Sequence, residues 1–253
     1  MLNLPLLNKS NRYCLLIVGR EDATQSIFDI TPEKEIKEIQ SVKNVPLGDL
    51  VSRLGRPSGR SIGIVGLHPS IAYSISLPLK IERNELHSPH LTGPEVENLL
   101  TREVSQRFIQ LLSEASEALG IDQVDTILAD SRVGNFKVNG RRVLQPVGCE
   151  AKEFEATTEL TFTSRKLYEE VKKYFSHPRF FMGDSGRAVL QALAREGEPP
   201  FGLLALDHPQ SVYVRLEKVS GKRIAFKRAI VPWSSKIFTE TLVSTWSLDS
   251  GSA

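Results

Sequence analysis

Short apolar runs and one long amphipathic stretch dominate the pattern of hydrophobic and polar positions. Residues 154–162 alternate between apolar and polar, which predicts a strand with one solvent-facing side. Residues 31–40 are charged and only weakly periodic, and no regular element is predicted there. Buried strands are predicted from four apolar runs, at residues 14–18, 61–65, 72–77 and 201–206.

The most regular periodic segment predicts a long amphipathic helix that begins at Thr92. Glu95 follows this residue by three positions and Pro94 lies in the first turn, which is a capping-box start. Apolar residues then recur at three- and four-residue steps as far as Leu119, and Gly120 is placed to end the helix. The sequence therefore predicts one helix with a single apolar stripe.

Shorter helices and two hairpins complete the pattern. A hairpin is predicted around Asn139-Gly140, with strands at residues 135–138 and 141–144, and a second around Ser220-Gly221. Strands mixed with helices in this order favour an α/β or α+β architecture. Helices are predicted at residues 164–175, at residues 186–195 with Asp184 or Ser185 as cap, and from Ser234 or Ser235 onward.

Composition is ordinary for a soluble globular protein, with 40% hydrophobic and 25% charged residues in 253. The net charge of +2 does not suggest nucleic-acid binding, and the basic cluster at residues 222–228, which includes Arg228, is interpreted as a solvated hairpin. Cys14 and Cys149 are expected to be buried free thiols of a reducing compartment. No signal peptide or apolar run of about 20 residues is visible, so we expect a cytoplasmic protein that reaches a membrane only through partners.

Several motifs occur in an order that matches a known family. SIGIVGL at residues 61–67 and TGPEVENLL at 92–100 are followed by FKVNG at 136–140 and QPVG at 145–148. A strand, a helix and a hairpin then follow between residues 180 and 241. This series resembles the bacterial cell-division protein FtsA, a member of the actin-like ATPase superfamily, over nearly the whole chain.

The resemblance implies an actin-like (ribonuclease H-like) α/β fold with a split first subdomain, an inserted subdomain and a partial second lobe. The first subdomain would occupy residues 1–80 and 153–197, and the second lobe would begin at residues 198–253. Residues 81–152 would form the inserted SHS2-type subdomain, a strand-helix-strand-strand module that serves protein–protein contact. Its candidate partner-binding residues are Arg132, Lys137, Asn139, Arg141 and Arg142.

The loops that would hold ATP and Mg²⁺ in an actin-like fold carry unsuitable residues. Such loops need glycines for close backbone approach and an acidic residue for the metal. Gly19 is present in the first loop, but Ile17 stands at the acidic position. In the second loop Asp207 fits the acidic position, but Pro209 removes an N–H donor. Gly19 and Asp207 are therefore the candidate cofactor-binding positions, and we expect neither ATP nor a metal to be bound.

Two functional hypotheses from different classes follow from these residues. The first is an actin-like scaffold of bacterial cell division with degenerate nucleotide loops, which acts by self-association or by binding division proteins. Pilus-assembly proteins of the PilM type share the fold and give an alternative scaffold role. The second hypothesis is a divergent ATPase whose site is completed by a partner or another copy, and the chain could also be a fragment of a longer gene product.

Overall fold

The computed structural model describes residues 11–57, 61–83, 89–175, 180–206, 211–219 and 223–232, together with residue 237. Within these residues the helices are α1 (Leu50–Leu54), α2 (Gly93–Leu119), α3 (Arg165–Tyr174) and α4 (Ser185–Glu196). The strands are β1 (Asn11–Val18), β2 (Asp22–Ile30), β3 (Ile36–Pro46), β4 (Ile62–Leu67), β5 (Tyr73–Glu82), β6 (Thr126–Val138), β7 (Arg141–Arg142), β8 (Glu153–Ser164), β9 (Phe180–Asp184), β10 (Phe201–Ala205), β11 (Ser211–Val219) and β12 (Arg223–Val231).

A five-stranded sheet in the order β3-β2-β1-β4-β9 lies in the unit formed by residues 7–73 and 166–253. β1, β4 and β9 are parallel, whereas β2 is antiparallel to both β1 and β3. A mixed sheet in which only the second strand is reversed is the ribonuclease H-like arrangement found in actin-like proteins. The predicted α/β, actin-like fold class is confirmed by this strand order.

The apolar runs of the strands supply the buried side chains of this sheet. Leu16, Val65 and Met182 lie opposite one another on the three parallel strands and are buried together on one face of the sheet. On α3 the side chains of Val171 and Tyr174 are fully buried, which anchors this helix. The predicted apolar side of α3 is confirmed.

Residues 74–165 form a second compact unit, whose sheet has the order β5-β8-β6-β7. The capping box of α2 is present, because Thr92 Oγ1 accepts from the Glu95 N–H and the Glu95 carboxylate accepts from the Thr92 N–H. Gly120 follows the helix in the left-handed conformation, with φ of +66°. Val96 of α2 packs with Phe154 and Ala156 of β8 in one cluster. The bounds of the four predicted subdomains stay predictions.

Two strands differ from the sequence prediction. The predicted turn at Asn139-Gly140 is present with φ of +49° and +76°, the signs that a type I′ turn requires. However, β6 begins at Thr126, nine residues before the predicted strand at residues 135–138, because it pairs along most of its length with the 12-residue β8. β3 was not predicted, and its strand state comes from its pairing with β2.

A three-stranded antiparallel sheet in the order β10-β11-β12 completes the described structure. Leu190 of α4 packs with Val212, Val214 and Leu216 of β11 in one buried cluster. The predicted turn at residues 220–221 and the predicted helix start at residues 234–235 lie outside the described residues.

The two cysteines differ in environment. Cys14 is fully buried on β1, as predicted, whereas Cys149 is only partly buried because it lies in a turn at the margin of the second unit. Both are free thiols. Among the helices in the described part of the chain, none combines the length and the apolar character needed to cross a bilayer.

Candidate functional site

The carboxyl ends of β1, β4 and β9 meet at one edge of the five-stranded sheet. In α/β sheets the crevice outside this edge is the usual ligand site. Here the edge is built from three segments: the turn after Val18, the loop after Leu67 and the start of α4 at Ser185. These segments, taken together, are called the carboxyl edge below.

The first segment is the tight connection between β1 and β2, which contains the predicted phosphate-loop residue Gly19. Val18 pairs with Ala23, so only four residues form the turn. The Gly19 N–H donates to the carbonyl of Asp22 at 2.8 Å. This amide is therefore part of the hairpin turn. The side chain of Ile17, at the position expected for an acidic residue, is exposed.

The second segment, after β4, is a turn fixed by His68 and Ser70. The His68 N–H donates to the carbonyl of Val18 at 2.8 Å, and the Ile71 N–H donates to the carbonyl of His68 at 3.0 Å. His68 Nδ1 accepts from the Ser70 N–H at 3.3 Å and lies 2.8 Å from Ser70 Oγ. This histidine–serine pair holds the turn.

The third segment is the N-terminus of α4, where Asp184 acts as the predicted cap. One carboxylate oxygen accepts from the N–H groups of Gly186 at 2.8 Å and Arg187 at 3.2 Å. Ser185 Oγ donates to the carbonyl of Leu67 at 2.8 Å. The positive end of the α4 dipole, a position that binds anions in other proteins, is thus occupied by the chain's own carboxylate.

Two arginines join Asp184 in a buried charged group. The Arg187 guanidinium lies 4.1 Å from the centre of the Phe226 ring, and Arg228 Nη2 donates to the carbonyl of Pro69 at 3.3 Å. Burial raises the pKa of Asp184, although backbone N–H donors and the two arginines act in the opposite direction. Burial likewise lowers the pKa of Arg228, which the charge of Asp184 partly offsets.

This group corrects the interpretation of Arg228 as part of a solvated hairpin. Arg228 pairs with Val214 and therefore faces α4, unlike its exposed neighbour Lys227. The alternation of β12 gives the only sequence signal for this orientation, since the residues on either side are also basic or small. Neither Arg187 nor Arg228 was predicted as a site residue. The second predicted cofactor position, Asp207, lies outside the described residues.

The five predicted partner-binding residues lie together on β6, its turn and β7. Arg132 is paired with Asp130 at 2.6 Å, and Lys137 is half-buried and paired with Glu155. The side-chain carbonyl of Asn139 accepts from the N–H groups of Lys152 and Glu153, so this residue holds the turn against the start of β8. Arg141 and Arg142 are exposed.

The QPVG motif that carries the resemblance forms a turn beside this hairpin. The Gly148 N–H donates to the carbonyl of Leu91 at 2.8 Å, and the Leu91 N–H donates to the carbonyl of Cys149 at 2.9 Å. Gly148 has a φ of +87°, which explains the glycine. The motif thereby fixes the approach to α2, and it leaves Leu144, 83% exposed, and Val147 at the surface.

No known protein family and no curated protein matches the chain. Matches are found among solved structures. A structure titled as a PilM–PilN type IV pilus biogenesis complex matches with 13% identity over 95% of this chain and 67% of that chain, at a TM-score of 0.42. A protein of unknown function with an actin-like ATPase fold from Bacteroides thetaiotaomicron matches with 9% identity over 94% and 76%, at 0.46. An Aquifex aeolicus member of the Ppx/GppA family matches with 12% identity over 94% and 55%, at 0.29.

The fold is actin-like. All three TM-scores lie below 0.5, so this assignment rests on the strand order and strand directions of the five-stranded sheet.

Proposed function

We propose that this chain is an actin-like scaffold that acts through protein–protein contacts without turning over ATP. One observation at the carboxyl edge carries the proposal. A phosphate site needs backbone N–H groups that are available to the anion. Each of six N–H groups at this edge donates instead to an acceptor of the protein itself: those of Gly19, His68, Ser70, Ile71, Gly186 and Arg187.

The scaffold role that we propose is in bacterial cell division. Its support is the resemblance to FtsA, above all the QPVG motif at residues 145–148 and its position between the turn and β8. A role in pilus assembly of the PilM type is the alternative within the same class of protein. Residues 81–152 would be the inserted SHS2-type subdomain of this scaffold.

We further propose that the contact surface of this subdomain lies at its hairpin end. Arg141 and Arg142 are exposed there, and Leu144 and Val147 add exposed apolar area. Interfaces combine apolar residues with arginine in this way. The expected occupant is a second copy of the chain or a division protein with an acidic and apolar surface.

Isothermal titration calorimetry with ATP and Mg²⁺ tests the nucleotide part of the proposal. We expect no saturable heat at millimolar ATP, because the N–H donors of the carboxyl edge are occupied. Saturable binding that Asp207→Asn abolishes would contradict the scaffold hypothesis and support the divergent ATPase.

Light scattering tests the contact surface. We expect the mass of the wild-type protein to rise with concentration, and Leu144→Asp to lower that mass because it places a charge on the proposed interface. Ile109→Asp is the matched control, since Ile109 is 79% exposed in the same unit but lies on α2. If the wild-type protein stays monomeric at high concentration, self-association is excluded, and the contact surface must bind a different protein.

A further inference from the structure

One side of β6 faces no strand of the described structure along most of its length. On its other side, β6 pairs with β8 from Thr126 to Val138. Among the described strands, β7 alone pairs with the remaining side, and it does so only at Lys137 and Val138. A strand edge of this kind presents N–H and carbonyl groups that can pair with another strand. We call this side of β6, from residue 127 to residue 135, the open edge.

The charges of the open edge are complementary to a second copy of the same edge. Asp130 and Arg132 lie two residues apart and are paired at 2.6 Å, and Ser131 is exposed between them. Two antiparallel copies with a twofold axis at Ser131 place Asp130 of each copy opposite Arg132 of the other. Opposite charges in such cross-strand positions are stabilising, and like charges are destabilising. An axis at Asp130 or at Arg132 would instead place like charges opposite each other.

The uncharged neighbours suit the same register. Val133 of one copy lies opposite Ala129 of the other, and Leu128 lies opposite Gly134, so each pair combines a large residue with a small one. The bulges in the pairing of β6 with β8 fall outside residues 130–134, which leaves the centre of the open edge regular. Charge and side-chain size therefore favour the same register.

We propose that two copies of this chain pair through their open edges, antiparallel and with the twofold axis at Ser131. The inference rests on the proposed function, because it specifies how a second copy binds beside the proposed contact surface. The two four-stranded sheets join into one continuous sheet. A twofold axis perpendicular to a sheet leaves its faces unchanged, so the two α2 helices lie on the same face.

The exposed arginines of β7 reach an acidic groove of the second copy in this arrangement. Arg142 pairs with Lys137 and therefore lies just beyond the open edge. In the proposed register, Lys137 of one copy is as far from the axis as Asp125 of the other. Asp125 lines one surface groove with Glu117 and Asp122, next to the negative end of the α2 dipole. The edge pairing thus brings opposite charges together at both ends of the interface.

Disulfide trapping tests the register. Directly opposed residues of an antiparallel pair have Cα atoms about 4.5–5.5 Å apart, which a disulfide can span. The full-length Cys149→Ser variant is the background, since it retains only the buried Cys14. In this background, Ser131→Cys should give a covalent dimer under mild oxidation. Ser105→Cys, at an exposed position on α2, is the matched control and should stay monomeric on non-reducing electrophoresis.

Charge reversal tests the contact of Asp130 with Arg132 between copies. Asp130→Arg places four positive charges around the axis and Arg132→Asp four negative ones, so each should raise the dimer Kd by about tenfold or more. An equimolar mixture of the two variants should recover the wild-type mass in light scattering, because opposite charges then face each other between copies. Neither variant regains the pair within its own strand, so the recovery cannot come from the monomer.

Arg107→Asp, which reverses an exposed charge on α2, is the control for charge reversal and should leave the mass unchanged. Circular dichroism must show wild-type helix and strand content in each variant before the masses are compared. A mixture that stays monomeric would overturn the proposal, because Asp130 and Arg132 then do not face each other between copies.

Two further results would overturn the edge pairing and differ in what they leave of the proposed function. If the wild-type mass rises with concentration but Ser131→Cys cross-links no more than Ser105→Cys, two copies associate elsewhere, and self-association through the hairpin end stands. If the wild-type protein stays monomeric and Ser131→Cys gives no dimer, two copies do not pair at all. The scaffold would then act only on a different protein.

Discussion

Asp184 is the residue at which burial and charge act against each other most directly. Its carboxylate caps α4, yet its pKa is raised because desolvation exceeds the stabilisation by backbone donors and by Arg187 and Arg228. An acid with a raised pKa in the folded state binds a proton more tightly there than in the unfolded chain. Its ionisation therefore lowers stability as the pH rises above the unfolded value of about 4.

Asp184→Asn isolates this effect, because an asparagine oxygen can still accept the two α4 N–H groups. The stability of the variant relative to wild type should increase as the pH rises from about 4, the unfolded pKa, through the higher folded pKa. Urea unfolding at a series of pH values measures the difference. If instead the wild type gains stability relative to the variant as the pH rises, the arginines and backbone donors stabilise the ionised carboxylate by more than burial destabilises it.

Arg83 is a second buried charge, in the other unit, and sequence reasoning missed it. Its side chain is 3% exposed and donates through Nε and Nη2 to Glu95 at 2.8 and 3.0 Å, and through Nη1 to the carbonyl of Ala151. The same Glu95 closes the capping box of α2. No motif marks an arginine at the end of a strand as buried, so only the structure identifies it.

Replacing Arg83 by methionine should lower the free energy of unfolding by about 3 kcal/mol, because Glu95 is left half-buried without this partner. Chemical denaturation measures the change. Lys80→Met is the control, on the strand that precedes Arg83: Lys80 pairs with Glu153 but its side chain is 60% exposed, so we expect little effect. Equal losses in the two variants would mean that the buried Arg83–Glu95 pair contributes no more to stability than the exposed Lys80–Glu153 pair.

Among the secondary-structure elements, α2 begins with a capping box whose contribution to the free energy of unfolding can be measured directly. Thr92→Ala removes the side chain that accepts from the Glu95 N–H, and the free energy of unfolding should fall by about 1 kcal/mol. Thr101→Ala, at an exposed position inside the same helix, is the control and should be neutral or slightly stabilising. Urea midpoints give both values, and equal loss at the two sites would contradict a capping role.

Elements with a clear local sequence pattern, such as helix caps or apolar alternation, were predicted correctly. A strand that forms only because it pairs with a neighbouring strand was not. α2 has caps and a stripe, and β8 has clean alternation, so both follow from the sequence alone. β3 is exposed along most of its length and shows no apolar pattern, because its strand state depends on β2. At the carboxyl edge the sequence indicates the unsuitable loop residues but not Arg228, whose orientation is decided by the register of β12.

In the whole molecule, the second unit is a continuous stretch of chain inserted between two strands of the other unit, which makes independent folding of the insertion testable. Residues 74–165 interrupt the five-stranded sheet between β4 and β9 in sequence, while β5 and β8 are neighbours within their own sheet. Ser74 Oγ lies 2.9 Å from Thr161 Oγ1, so the chain enters and leaves the unit side by side. A unit with its own core and adjacent ends meets the conditions for independent folding.

We therefore predict that residues 74–165, expressed alone, unfold cooperatively in urea. The fragment keeps the cluster of Ile81, Val96, Phe154 and Ala156 and the Arg83–Glu95 pair, and at 92 residues it exceeds the size below which single domains need staples. The same fragment with Arg83→Met is the control and should unfold at lower urea, which distinguishes native packing from a collapsed state. A broad, non-cooperative transition that the substitution does not move would mean that the unit requires the rest of the chain to fold.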